Sequence, residues 1–241
     1  MGEMKYSFQR YELKYLLRED QYREMMEGCS CRLEPDGFGN STICNVYYDT
    51  SDHRLIRHSL EKPVYKEKLR LRSYGSTKRE DQVFLELKKK YQGVVYKRRI
   101  SLRASEAEGY FARGHSLPTT SQISREIDYV RRLYEPLLPA MYLSYDRAAF
   151  FSKEDQQLRL TFDRNIRFRE TDLSLGIPPY GTALLEEGLL LLEVKTAGGL
   201  PLWLTGLLSE LQLAPTSYSK YGAAYQRSCQ EKELGGVSYA S

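Results

Sequence analysis

Four cations alternate with other residue types along Lys66-Glu67-Lys68-Leu69-Arg70-Leu71-Arg72. Successive side chains on a β-strand point to opposite sides, so a strand here puts Lys66, Lys68, Arg70 and Arg72 on one face. The segment Val83-Phe84-Leu85-Glu86-Leu87-Lys88 repeats the plan, with Leu85 and Leu87 on one side and Phe84, Glu86 and Lys88 on the other. A third, Tyr96-Lys97-Arg98-Arg99-Ile100-Ser101-Leu102, adds Lys97 and Arg99 on a common side. Like charges two residues apart on a strand sit roughly 7 Å apart and repel, so neighbouring strands of this kind call for a bound anion. Arginine supplies paired donors and lysine a mobile point charge, and both suit phosphate.

Such strands need a sheet to hold them and a core beneath it. A first strand is expected from Phe8 to Leu17, with Arg10, Glu12 and Lys14 opposite Tyr11, Leu13 and Tyr15. A helix follows over about residues 19–27, then a loop marked by Gly37, Gly39 and Asn40. Val46 to Thr50 reads as the end of a strand, with Asp49 or Ser51 able to cap a short helix across residues 52–60. Only Gln92-Gly93 separates the second and third charged segments, which makes them an antiparallel hairpin with coincident polar faces. Helices are expected over residues 104–113 and 121–134, and strands over 140–150, 158–169 and 189–196. On these strands Tyr145 shares a face with Arg147, Arg159 with Thr161 and Asp163, and Leu191 with Glu193 and Lys195. Two helices, about residues 203–211 and 218–230, close the chain, and the segment from Leu234 reads as frayed.

The count is about eight antiparallel strands, most with one charged face, and eight strands can close into a barrel. The expected fold is therefore α+β: an eight-stranded antiparallel barrel with helices packed outside and charged faces lining a water-filled tunnel. The competing reading is an ordinary half-buried sheet whose charged face meets solvent. Solvated faces normally mix signs, and Lys66, Lys68, Arg70 and Arg72 do not.

Composition agrees with a globular β-rich protein. The 241 residues fit one large domain, 1–241, with a core over about 5–230. Lys and Arg number 36 against 32 Asp and Glu, so the +4 formal charge reflects arrangement and not bulk basicity. Twenty tyrosines favour strands and half-buried surfaces. Cys29, Cys31, Cys44 and Cys229 form no CxxC pair and His53, His58 and His115 are scattered, which argues against a zinc or disulfide framework and for a reducing cytoplasm. The start of the chain lacks an apolar signal core, and no stretch approaches the ~20 apolar residues that span a bilayer, so no membrane insertion is expected.

Seven segments, in order, resemble one family. They are Arg10-Tyr11-Glu12-Leu13-Lys14-Tyr15, Tyr47-Tyr48-Asp49-Thr50, Lys68-Leu69-Arg70-Leu71-Arg72-Ser73-Tyr74-Gly75, Phe84-Leu85-Glu86-Leu87-Lys88, Tyr145-Asp146-Arg147-Ala148-Ala149-Phe150, Leu192-Glu193-Val194-Lys195 and Ser217-Tyr218-Ser219-Lys220-Tyr221. Together they resemble the catalytic domain of the vacuolar transporter chaperone polyphosphate polymerases, within the triphosphate tunnel metalloenzymes. The resemblance implies transfer of the γ-phosphate of ATP to a growing polyphosphate chain, with a divalent metal, Mn2+ or Mg2+. It implies phosphate grips at Lys14, Lys68, Arg70, Arg72, Lys88, Lys97, Arg147, Arg159 and Lys220, with Arg70, Arg72, Arg147 and Lys220 acting in the transfer and Glu193 holding the metal. A further basic tunnel residue falls at Lys62 or is absent. The eukaryotic members carry a phosphate-sensing domain and membrane helices that this sequence does not show, which resembles stand-alone bacterial members. Partners are then ATP and polyphosphate, with any membrane-protein partner unknown.

Alternatives stay open at this point. Glu12 and Glu86 pair with basic side chains across strands or serve metal and nucleophile positioning. Lys66 reads as the tunnel entrance, Lys195 and Asp163 as neutralising partners, and Arg98, Arg167 and Arg169 as a surface patch. Tyr47, Tyr48 and Tyr145 read as packing residues. A tunnel-fold triphosphatase is the rival enzyme, although Arg10 stands where such relatives carry the first acid of Glu-x-Glu-x-Lys. A non-catalytic polyphosphate-binding module is a second rival. A nucleic-acid binder would need an open basic surface with stacking aromatics, and none is expected.

Overall fold

The computed structural model describes residues 11–37, 39–92 and 94–236. Phe8, Gln9, Arg10 and Gly93, which belong to the sequence reading above, lie outside the described residues, as does the segment beyond residue 236. The described residues form ten strands: β1 (Tyr11–Arg18), β2 (Leu33–Pro35), β3 (Ser41–Asp49), β4 (Tyr65–Tyr74), β5 (Gln82–Tyr91), β6 (Val94–Arg103), β7 (Leu138–Ser152), β8 (Arg159–Arg169), β9 (Thr182–Ala183) and β10 (Leu189–Thr196). Six helices accompany them: α1 (Glu19–Cys29), α2 (Arg54–Leu60), α3 (Ala104–Arg113), α4 (Gln122–Leu133), α5 (Leu202–Glu210) and α6 (Lys220–Gly236). Among the described residues no helix is long and apolar enough to cross a membrane.

The strands hydrogen-bond along the path β1-β10-β8-β7-β3-β4-β5-β6, with β2 on β7 and β9 on β8. The path thus holds eight strands, and the other two are short additions. The expected closed barrel is not met: among the described residues the path ends at β1 and β6, so the sheet is open. Alternation tells which residues share a face, whereas closure depends on strand tilt and stagger, which alternation does not encode.

The chain forms two compact units. Unit 1 comprises residues 1–41, 147–164 and 185–217, and unit 2 comprises 42–146, 165–184 and 218–241. In unit 1, Tyr15 and Leu17 of β1, Leu160 and Phe162 of β8, and Leu190, Leu192 and Val194 of β10 pack with Met25 of α1 and Leu204 and Leu208 of α5. In unit 2, Leu69 and Leu71 of β4, Leu85 and Leu87 of β5 and Ile100 of β6 pack with Tyr110 of α3 and Ile127 and Val130 of α4. Leu69 and Leu71 of β4 and Val83, Leu85 and Leu87 of β5 thus alternate onto the side that packs on the helices, which leaves Lys68, Arg70, Arg72, Glu86 and Lys88 on the opposite face. Each fully buried leucine contributes roughly 1.5–3 kcal/mol, enough to fix which face is which.

Candidate functional site

The hairpin of β5 and β6 turns at Gln92, whose φ is 45°, and pairs Tyr91 with Val94. That register sets Glu86 opposite Arg99 and Lys88 opposite Lys97. On the other side β4 sets Arg70 opposite Glu86, and Lys68 opposite Lys88. β3 then places Tyr47 beside Arg70 and Asn45 beside Arg72. One row thus reads Tyr47, Arg70, Glu86, Arg99, and the next reads Lys68, Lys88, Lys97.

Glu86 is 1% exposed and is the hub of the first row. Arg70 Nη2 approaches Glu86 Oε2 at 2.7 Å, Lys97 Nζ approaches Oε1 at 2.9 Å, Arg99 Nε donates to Oε1 at 2.6 Å, and Arg72 Nη1 stands 3.8 Å away. Four positive charges against one negative leave an excess of three. Burial alone would favour the protonated acid, but Arg70, Arg72 and Lys97 hold the Glu86 carboxyl far below the usual range. Burial pushes the Lys97 amine down to about 8; Glu86 opposes that shift, while Arg72 and Arg99 reinforce it. Arg70 is half-buried; desolvation works against its charge, yet Tyr47 and Glu86 keep it firmly charged.

Neutral groups hold the remaining donors. Arg70 Nη1 donates to the Tyr47 hydroxyl at 2.9 Å, Arg72 Nε to Asn45 Oδ1 at 2.9 Å, and Arg72 Nη2 to the Tyr145 hydroxyl at 3.1 Å. The Lys220 ammonium lies 4.6 Å from the centre of the Tyr145 ring. Lys220 is the first residue of α6, at the positive end of the helix dipole, where a cation is disfavoured and an anion is welcome. Lys68 Nζ donates to Ser219 Oγ at 2.9 Å and lies 5.9 Å from the Tyr221 ring.

Unit 1 carries a second charged face of different character. Register aligns Lys14, Glu193 and Thr161, and next to them Glu12, Lys195 and Arg159. Arg147 makes a two-pronged bond to Asp163, at 2.6 and 2.7 Å, and reaches Glu193 at 3.0 Å. Lys14 Nζ lies 3.3 Å from Glu193 and 3.4 Å from Glu12, and Lys195 lies 3.9 Å from Glu12. Arg159 meets Asp36 at 2.6 Å. In these contacts four cations meet four carboxylates. Burial lowers the Lys195 amine from its ordinary value, against the pull of Glu193 and Glu12.

The expected residues therefore fall into two sets. Lys68, Arg70, Arg72, Lys88, Lys97 and Lys220 belong to unit 2, and Lys14, Arg147, Arg159 and Glu193 to unit 1. Lys66 turns to α2, donating to the Ser59 carbonyl at 3.1 Å, and lines a cleft of about 340 Å3 with Arg54, His58 and Glu67. Arg169 is not a surface group: it is buried with Tyr142 and Tyr180 rings 3.4 and 4.3 Å from its guanidinium carbon. Arg98 pairs with Glu126 of α4. Sequence reasoning placed Arg99 on the right face without giving it a role, and it missed Asn45, whose signal was only a polar residue two before Tyr47 on the same strand face.

Among the described residues no three His, Cys, Asp or Glu side chains cluster as a metal cage. The oxygen donor Glu193 suits a hard cation, but Lys14 and Arg147 also claim it. A metal at Glu193 would fit as an ion that takes most of its shell from phosphate and water.

The VTC domain family model matches residues 9–229. A search of curated proteins finds no match. Among solved structures, a candidate adenylate cyclase from Bacillus halodurans is similar at a TM-score of 0.54 and 16% identity, over 86% of this chain and 92% of that one. A candidate adenylate cyclase from Vibrio parahaemolyticus aligns at a TM-score of 0.48 and 12% identity, over 91% of this chain and 99% of that one.

Proposed function

The chain belongs to the VTC domain family, and from that premise we propose that it is a phosphotransferase that moves the γ-phosphate of ATP onto a growing polyphosphate chain. The observation that carries this reading is the surplus of positive charge around Glu86: four cations, Arg70, Arg72, Lys97 and Arg99, meet one buried acid, and Lys68 and Lys88 stand in the neighbouring row. A linear phosphate chain presents repeated negative charge at a spacing that alternate strand residues can follow.

In the mechanism, Arg70, Arg72, Lys88 and Lys97 bind and orient phosphate groups along the sheet face. Arg70, Arg72 and Lys97 are already held by Glu86, Tyr47, Asn45 and Tyr145, so little reorganisation of these groups accompanies the transfer. Lys220, backed by the N-terminal end of α6, stabilises charge on the moving phosphoryl group. Phosphoryl transfer of this kind needs positioning and cations more than a protein nucleophile, and no side chain is assigned that role. When bound, Mn2+ or Mg2+ would neutralise triphosphate oxygens. Glu193 would be its protein ligand, with Lys14 and Arg147 orienting the carboxylate. Arg159, paired with Asp36, would be a further phosphate contact on the charged face of unit 1.

Incubation with ATP and Mn2+, followed by gel and chromatographic separation, tests the reading. A ladder of phosphate chains is the expected result. Orthophosphate alone would make the protein a triphosphatase, a cyclic nucleotide would make it a cyclase, and tight polyphosphate binding with no turnover would make it a binding module.

A further inference from the structure

We propose that Asp49 and Tyr221 form a latch that sets the position of Lys220, which makes both of them positioning residues for the transfer. The kinetic consequence rests on the function proposed above; the geometry does not.

Asp49 ends β3 and is fully buried. Its Oδ1 accepts from the backbone N–H groups of Leu55 and Thr50, at 2.8 and 2.9 Å. Its Oδ2 accepts from the Ile56 N–H at 3.0 Å and from the Tyr221 hydroxyl at 2.9 Å. The residue preceding α2, His53, has a φ of 57° and makes no side-chain cap bond, so Asp49 performs the capping from the strand. One carboxylate thereby ties β3, the start of α2 and the first turn of α6 together.

Lys220 is bracketed. On its C-terminal side, the buried Tyr221 ring stacks on Tyr47 with centroids 4.4 Å apart, and the Tyr47 hydroxyl receives Arg70. On its N-terminal side, Ser219 Oγ accepts from the Gly222 N–H at 3.1 Å, capping α6, and from Lys68 Nζ at 2.9 Å. The residues on both sides of Lys220 are thus each bonded to the sheet that carries Arg70 and Arg72. The backbone of Lys220 cannot rotate without breaking a bond at Asp49 or at Lys68. A buried tyrosine hydroxyl bonded to a carboxylate is also held in its neutral, donating form: burial first, then Asp49, push its ionisation up.

A core contact without positional consequence would lower stability and leave Lys220 untouched. Tyr221→Phe separates the two cases, because it keeps the ring and its stack on Tyr47 and removes only the hydroxyl. The direct readout is the rate at which an N-hydroxysuccinimide acetate modifies Lys220 in the folded protein, followed by peptide mass spectrometry against the exposed Lys78. In the wild type Lys220, 8% exposed, should react slowly; in Tyr221→Phe its rate should rise several-fold while Lys78 is unchanged. Turnover should fall about tenfold with KM within about twofold, since misplacing a catalytic group costs rate more than binding. An unchanged Lys220 rate overturns the latch. Absence of phosphate transfer in the wild type would sink the proposed function and leave the labelling result to decide the latch alone. Should Tyr221→Phe fail to fold, as circular dichroism would show, Asp49→Asn carries the same measurement.

Discussion

Glu86 Oε2 lies 2.7 Å from Arg70 Nη2 while its other oxygen, Oε1, lies 2.9 Å from Lys97 Nζ, so a single carboxylate couples adjacent rows of the cationic face. It fixes the cations without cancelling them, since it is outnumbered four to one.

Removing that charge while keeping its shape should cost the free protein more than it costs the complex. Glu86→Gln leaves the half-buried Arg70 and the buried Arg72 guanidiniums without their anion, a loss of about 3 kcal/mol; the more exposed Lys97 and Arg99 add little. The melting temperature should drop, and tripolyphosphate should restore more of it in the variant than it adds to the wild type. Calorimetry with and without tripolyphosphate checks both, and equal ligand shifts in the two proteins would count against the hub.

Polyanion affinity should depend on pH through Lys97. Its amine is depressed to about 8, so it is charged below that value and neutral above it. Only the charged form attracts phosphate, and affinity should therefore decline as pH rises through about 8. Lys97→Arg, charged throughout, should flatten the decline; titration calorimetry of both proteins at the same pH values isolates the Lys97 contribution from the ligand's own titration. The effect on the free fold has the opposite sign. An amine depressed relative to the unfolded chain destabilises the fold while it is charged, and that penalty fades as pH climbs from about 8 toward the ordinary lysine range.

Lys220 and Lys68 should separate kinetically. Lys220→Ala is expected to lower kcat about a hundredfold with little change in KM, as for a group that acts on the charge developing in transfer. Lys68→Ala should mainly raise KM. Steady-state kinetics at saturating and limiting ATP decide it, and a pure KM effect for Lys220→Ala would remove that residue from the transfer step.

The metal assignment is tested at Glu193. Glu193→Gln should raise the Mn2+ concentration needed for half-maximal turnover by about tenfold or more, with tripolyphosphate affinity in metal-free buffer not weakened. Metal titration of the reaction rate, run beside binding in the presence of a chelator, distinguishes loss of a ligand from disturbance of Arg147 and Lys14.

Much of unit 2 was legible because its strands obey period two. Lys68, Arg70 and Arg72 fell on one face by counting, and the two-residue gap between Tyr91 and Val94 gave the register that brings Glu86 to Arg99. The helix cap narrowed to Asp49 or Ser51 from the Asp-Thr-Ser-Asp run, and the bonds to the Leu55 and Ile56 N–H groups decide for Asp49. What escaped were contacts between residues far apart in sequence. Arg159 meets Asp36 across 123 positions, and Arg72 meets Tyr145 across 73; no local pattern carries such pairings. Arg169 read as part of a surface patch with Arg98 and Arg167, and only the rings of Tyr142 and Tyr180 show otherwise. Barrel closure was unreadable for a similar reason, since it depends on stagger accumulated over every strand.

Tyr145 accepts a hydrogen bond from Arg72 at its hydroxyl and carries Lys220 over its ring. An acid in its place would hold both cations as well and would erase one of their charges. A tyrosine is a spacer that grips without neutralising, and Tyr47 serves Arg70 in the same way. The surface potential offered to an incoming anion is thus set by the choice of aromatic over acidic supports. The tyrosine-rich composition, twenty in 241 residues, then has a use beyond packing: it lets a crowded cationic face stand ready while keeping its charge.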